Sequence, residues 1–233
     1  MFGPQQALKF HYAQSMVHNG VRFGVEHAFV EAMMMQIILT ALDQQLFDAW
    51  SDVCGDLPCV ETYRGSILDV SCDAVVSPAN SFGFMDGGID AAYKQHFKQD
   101  IEMSVRRAIW NEFHGELPVG CAVTVETVDA SIPYLIAAPT MRVPMRLGPD
   151  TVNPYLAARA ALIAARLHPN IKAVAFPGMG TGIGRVTGKL CAMQVRAAIN
   201  AIFLEENRMP QSWAEASESH QFLYGASPRD LQQ

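Results

Sequence analysis

The chain has 233 residues, half of them hydrophobic and 17% charged, a balance that suits a single α/β core with a small appendage and excludes a disordered or collagen-like polymer. A net charge of −6 excludes a broad footprint on a nucleic-acid backbone, which needs clustered Lys and Arg, but leaves room for a local basic pocket. The cysteines, Cys54, Cys59, Cys72, Cys121 and Cys191, are odd in number and lack C-x-x-C or Cys/His spacing, so neither a disulfide framework nor a zinc site is expected. They read instead as thiols packed in a core within a reducing compartment, which favours the cytosol.

Residues 1 to about 35 show no strand alternation and read as an N-terminal extension of uncertain order. The apolar stretch 28–47 is interrupted by Glu31, Gln36, Asp43, Gln44 and Gln45, so no membrane span is expected, and no signal-peptide layout is visible. From residue 36 a single domain is expected to run to residue 233, with a helical C-terminal extension from about 207. Gln36 to Leu42 reads as a strand and Asp43 to Val53 as a helix, with Leu42, Leu46, Ala49, Trp50 and Val53 at helical spacing; a second strand follows at Cys59 to Tyr63.

Three runs, 74–76, 134–138 and 173–176, are apolar without alternation, as expected of strands covered on both faces at the centre of a sheet. Cys121 to Val128 alternates and belongs nearer an edge. Asn153-Pro154 reads as a cap and first-turn proline for a helix ending near His168, and Thr187 opens another helix with Cys191, Val195, Ala198 and Ile202 on one stripe. Strands alternating with helices predict a three-layer α/β/α sandwich around a mostly parallel mixed sheet.

Two loops carry the chemistry. Gly178, Met179, Gly180, Thr181, Gly182, Ile183 and Gly184 follow a buried strand and precede a helix, placing four glycines in seven residues. Such a loop can present successive backbone N–H groups to a diphosphate, beside the positive end of the helix. It fits neither common phosphate motif: Gly188-Lys189 lacks the glycine five positions upstream that a Walker loop needs, and no glycine in the run completes G-x-G-x-x-G. The second loop runs from Asp73-Ala74-Val75-Val76 through Asn80 to Gly87-Gly88-Ile89-Asp90. Asn80 donates and accepts while an ionised Asp90 only accepts, a pair suited to vicinal ribose hydroxyls. An Asx-turn for Asn80 and a helix cap for Asp90 are the structural alternatives.

Together these motifs resemble the macro domain family, whose first signature has the form D-A-[IV]-V-N-A-A-N with a loop ending G-G-[VI]-D and whose second is P-G-x-x-T-G-x-x-G-like. The resemblance spans about 36 to 206. It implies that Gly178 to Gly184 cradle a diphosphate, that Gly87, Gly88 and Ile89 close the opposite wall, and that Asn80 and Asp90 face the distal ribose. Where the family usually places an acid for the adenine amino group, this chain has Gly65-Ser66-Ile67, so Ser66 and its neighbour would meet the base with less charge assistance. In place of the histidine that many family hydrolases carry after the loop aspartate, it has Tyr93-Lys94-Gln95-His96. A lysine at this offset resembles the lysine-dependent macro domains that reverse ADP-ribosylation of DNA or acidic side chains, which makes Lys94 a candidate nucleophile. Its i, i+4 spacing from Asp90 also suits an ion pair that would keep the amine protonated.

The function implied is an ADP-ribose-binding domain that hydrolyses an ADP-ribosyl adduct or a small ADP-ribose derivative, with Asn80, Asp90 and Lys94 as catalytic candidates. A non-catalytic reader of ADP-ribose or of ADP-ribosylated partners is the alternative. The expected partner is ADP-ribose or an ADP-ribosylated macromolecule, without membrane, metal or cofactor.

Overall fold

The first strand, β1 (Gln36–Ala41), stops one residue before the predicted end, and Leu42 is 76% exposed instead of continuing the apolar stripe into the next helix. The cause is the turn at Asp43: its carboxylate accepts from the Leu46 amide at 2.9 Å and caps α1 (Gln44–Cys54), whose buried face is Leu46, Trp50 and Cys54. The indole of Trp50, fully buried, donates to the Thr40 carbonyl at 3.2 Å and ties α1 back to β1. These elements come from a computed structural model that describes residues 35–97, 100–204 and 209–225. Apart from Met35, the expected N-terminal extension lies outside the described residues, and the compact unit begins at Met35.

The remaining strands are β2 (Val60–Arg64), β3 (Ala74–Ser77), β4 (Val123–Glu126), β5 (Tyr134–Ala137) and β6 (Ala173–Phe176). They form one six-stranded sheet in the order β2-β1-β6-β3-β5-β4, parallel throughout except for β4, which runs antiparallel to β5. The unalternating apolar runs lie inside the sheet because both faces are covered: Ala74, Val75, Val76, Leu135, Ile136, Val174 and Ala175 have no exposed surface. On the edge strand β4, Val123 is buried while Glu126 is exposed.

Helices α2 (Gly88–His96) and α3 (Ile101–Phe113) cover one face, where Val75 and Leu135 share a core with Tyr93, Phe97, Ile101, Val105 and Ile109. Burial of each such side chain contributes about 1.5–3 kcal/mol. Helices α4 (Asn153–Leu167) and α5 (Gly188–Phe203) pack on each other and α5 packs on α1, forming the other layer; α6 (Trp213–Phe222) follows. The predicted three-layer α/β/α sandwich with its mostly parallel mixed sheet is therefore the observed architecture.

Asn153 is not the cap of α4. The cap position is Val152, without a side-chain bond, and the Asn153 amide reaches across to the Thr140 carbonyl at 2.8 Å. The first turn is satisfied from another helix instead, with Gln194 of α5 accepting from the Tyr155 amide at 3.0 Å. Among the described residues no helix is long and apolar enough to cross a membrane. Because five strands run in one direction, the loops after β1, β2, β3, β5 and β6 gather at their common carboxyl edge, where open α/β sheets place ligands.

Candidate functional site

These loops enclose a cleft of about 600 Å³, within the range of small-molecule sites. Of the residues singled out in the sequence, Ser66, Ile67, Asn80, Gly87, Gly88, Ile89, Asp90, Gly178, Gly180, Thr181, Gly182 and Ile183 line it. Met179, Gly184 and Lys94 do not. Met179 is fully buried under its loop with its amide against the Cys191 sulfur at 3.2 Å, and the Gly184 carbonyl accepts from the Leu147 amide at 3.0 Å. Both residues shape the loop from below.

The loop after β6 is polarised along its own backbone. The carbonyls of Gly180, Gly182 and Gly184 accept from Val186, Arg185 and Leu147 at 3.1, 3.2 and 3.0 Å. The amides of Gly180, Thr181, Gly182 and Ile183 donate to no acceptor among the described residues. Carbonyls turned into the protein and amides left open make a concavity of positive partial charge. Gly180 supports this turn at φ 72°, a left-handed conformation that a side chain would strain. The opposite wall has the same character: α2 starts at Gly88 with φ 57°, and its N-terminal dipole faces the cleft.

Asp90 stands in the first turn of α2 and is held by Ser77. Ser77, at the end of β3, donates its hydroxyl to the Asp90 carboxylate at 2.5 Å, and Tyr93, one turn on, is fully buried with its hydroxyl on the Val76 carbonyl at 3.0 Å. Burial pushes the Asp90 carboxyl up to about 6, and the Ser77 hydrogen bond opposes that rise. With the folded value above the ordinary 3.8, Asp90 contributes stability that is full below pH 3.8 and lost as pH rises through about 6. Asp90→Asn, which can still accept from Ser77, is thus expected to stabilise the protein at pH 8 by up to about 3 kcal/mol and to leave it unchanged near pH 3.5. Thermal melts of both proteins across that range check this, and a gain that is constant with pH would contradict it.

The side chain of Asn80 serves its own loop. It accepts from the amides of Phe82 and Phe84 at 3.1 and 3.3 Å and donates to the Phe84 carbonyl at 2.8 Å, an Asx-turn arrangement that shapes the cleft wall. The spacing-based ion pair between Asp90 and Lys94 does not form. Asp90 points inward to Ser77, whereas Lys94 pairs with Asp86 at 3.2 Å and with Glu102 of α3. The hydrogen bonds to Glu102 and Asp86 raise the lysine above its ordinary range, holding the amine protonated. The hydroxyl of Ser66 caps the single 3₁₀ turn Ile67–Asp69 by accepting from the Leu68 amide at 3.2 Å.

Several site residues carry no glycine or motif signal. Thr140, Met141 and Pro144 reach the cleft from the loop after β5, where Met141 bridges Asn80, and Leu42 and Asp43 reach it from the loop after β1. Ser77 could have been found as the last residue of the strand feeding the Asn80 loop. The thiols lie elsewhere: Cys54, Cys59, Cys72 and Cys191 are buried, and burial pushes Cys54, Cys72 and Cys191 up to about 12, leaving them inert as nucleophiles.

Two amide-rich loops walling a cleft at the carboxyl edge of an α/β sheet form the kind of place where such folds hold phosphorylated ligands. The Macro domain family model matches residues 76–195. An uncharacterised protein of Aquifex aeolicus (strain VF5) is 37% identical over 133 residues, covering 57% of this chain and 76% of that protein. The macrodomain of Mycobacterium tuberculosis DarG superposes with a TM-score of 0.52 at 21% identity, over 60% of this chain and 88% of that one. An Oceanobacillus iheyensis macrodomain mutant with ADPR superposes with a TM-score of 0.53 at 19% identity, over 68% and 88%. The solved structures share the fold; the family model shows the membership. The chain belongs to the macro domain family, a family that binds ADP-ribose.

Proposed function

We propose that this chain binds ADP-ribose in the cleft and hydrolyses an ADP-ribosyl adduct or a small ADP-ribose derivative. The observation that carries the reading is the meeting, in one cleft, of the open amides of Gly180 to Ile183, the N-terminus of α2 and the enclosed carboxylate of Asp90. The diphosphate would lie on the β6 loop, which supplies most of the binding energy, and the distal ribose would lie toward Asp90. Water attacks the anomeric carbon of the distal ribose of the adduct while Asp90 positions that water and takes its proton; the bond from that carbon to the attached group breaks, and the proton passes to the departing group. A carboxyl that titrates near pH 6 is mostly ionised at neutral pH and basic enough for this role. Asn80 acts through the loop it braces. Ser66 and Ile67 belong to the base end, and Gly87, Gly88 and Ile89 to the wall over the diphosphate. The buried thiols favour a reducing, cytosolic setting.

A reader without catalysis is the second reading, favoured by the protonated state of Lys94 and by Asn80 spending its polar atoms on its own loop. One experiment separates the two. The protein is incubated with ADP-ribosylated proteins, ADP-ribosylated DNA, O-acetyl-ADP-ribose and ADP-ribose 1″-phosphate, with free ADP-ribose binding measured in parallel by calorimetry. Release from at least one substrate is expected. Binding without release of any product would establish the reader, and absence of binding would sink both readings.

A further inference from the structure

The carboxylate of Asp90 is steadied from the sheet and not from the helix that carries it. Ser77 is the last residue of β3, and its backbone is fixed by β5: it pairs with Ala137, and its carbonyl accepts from the Ala138 amide at 2.9 Å. The next residue, Pro78, confines Ser77 to extended backbone, and the Pro78 carbonyl accepts from the Thr140 hydroxyl at 3.1 Å. Backbone held in this way leaves the Ser77 side chain only its χ1 wells, and the one it occupies aims the hydroxyl at Asp90, 13 residues on and in another element.

That hydroxyl has a single task. Its one hydrogen bond among the described residues is the bond it donates to Asp90 Oδ1 at 2.5 Å, and at 1% exposure Ser77 has no water to turn to instead. Asp90 Oδ2 makes no hydrogen bond among the described residues, and Asp90 lines the cleft. One carboxylate oxygen is therefore anchored at the sheet, and the other is the acceptor left for a water.

The charges around Asp90 are already committed. Among the described residues the cleft is lined by two other titratable groups, Asp43, which caps α1, and Asp86, which pairs with Lys94. Glu102, on α3, is the second partner of Lys94. Tyr93, the neighbour on α2, is held neutral by burial and donates to the Val76 carbonyl. Against the cost of burial, the Ser77 hydroxyl is left as the one group that favours an ionised Asp90.

We infer that Ser77, locked at the end of β3 by Pro78, is a positioning residue for hydrolysis: its hydroxyl fixes one oxygen of Asp90 at the sheet and keeps the other ionised and aligned to take the proton of the attacking water. The inference rests on the hydrolytic reading above and adds the residue that holds its base in working form.

The test joins two measurements on the wild type, Ser77→Ala and Ser77→Thr. One is the pH profile of kcat/KM on ADP-ribose 1″-phosphate, or on the ADP-ribosylated protein if that alone is cleaved. The other is a carbon-13 NMR titration of the Asp90 carboxyl, assigned by its loss in Asp90→Asn, which needs no turnover. In the wild type both are expected to have their midpoint at about pH 6. Ser77→Ala should move both midpoints up by about one pH unit, the loss attached to a hydrogen bond on a charged group, and so lower kcat/KM about fivefold at pH 6 and by less than about twofold at pH 9. Ser77→Thr keeps the hydroxyl on a residue suited to a strand and should restore both midpoints. Melts verify that the variants are folded. An unmoved NMR midpoint in folded Ser77→Ala, or a loss of kcat/KM equal at every pH, would overturn the role of Ser77 and leave the hydrolytic reading intact. A wild type that cleaves neither substrate would bring down that reading and this inference together.

Discussion

Gly182→Glu is expected to abolish ADP-ribose binding while leaving the protein folded. A Cβ on Gly182 meets nothing within 4 Å, so the new side chain enters open cleft without displacing a neighbour, and its carboxylate comes to rest among the open amides of Gly180 to Ile183. It would occupy the place of the diphosphate and repel what remains of it. Two like charges about 4 Å apart near a protein surface cost about 4 kcal/mol, close to a thousandfold in affinity. Gly182→Gln carries the same bulk without the charge and is expected to lose less, and added salt should recover part of the difference. Calorimetry on the three proteins, with melts to confirm folding, decides the matter. Unaltered affinity in a folded Gly182→Glu protein would remove the diphosphate from this loop.

Asp90→Ala is expected to lower turnover by about 10²–10⁴-fold while changing ADP-ribose affinity far less, since it removes a proton acceptor used in the transition state. Lys94→Ala is expected to change turnover only by a few-fold, because attack needs a free amine and Lys94 is held protonated by Glu102 and Asp86 at the edge of α2. The pH dependence follows from the same residue: kcat/KM should rise as Asp90 ionises through about pH 6, and that limb should vanish in Asp90→Asn. If Lys94 instead attacks the anomeric carbon, the order of the two variants reverses, and borohydride traps an ADP-ribosyl adduct on Lys94 that mass spectrometry can locate. Full activity in Asp90→Ala would place the chemistry elsewhere.

The stability and activity expectations for Asp90 are two faces of one cost. A carboxylate enclosed enough to titrate near pH 6 is less favourable at neutral pH than the same group in water, so Asp90→Asn should gain stability as it loses turnover. That pairing separates a working aspartate from a structural one, whose replacement by Asn would change stability without changing turnover.

Hydrophobic periodicity alone determined the sandwich and the central strands, since a run such as Ala173 to Phe176, apolar at every position, is stable only with both faces covered. Glycine spacing likewise marked both loops, because only a backbone free of Cβ can turn its amides outward at positions such as Gly180. What local spacing could not determine was the choice of partner. Asp90 and Lys94 sit four residues apart on one helix, yet Asp90 turns to Ser77, 13 residues away, and Lys94 to Asp86 and Glu102, each eight residues away. Asn153 has the identity of a cap but serves Thr140, while Asp43 and Ser66 reach one cleft only because β1 and β2 pair in parallel. Side-chain propensity and period are properties of a segment and survive in the sequence. Hydrogen-bond partners are selected by whichever donors and acceptors the packed sheet and helices bring within about 3 Å, and that selection exists only in the folded chain.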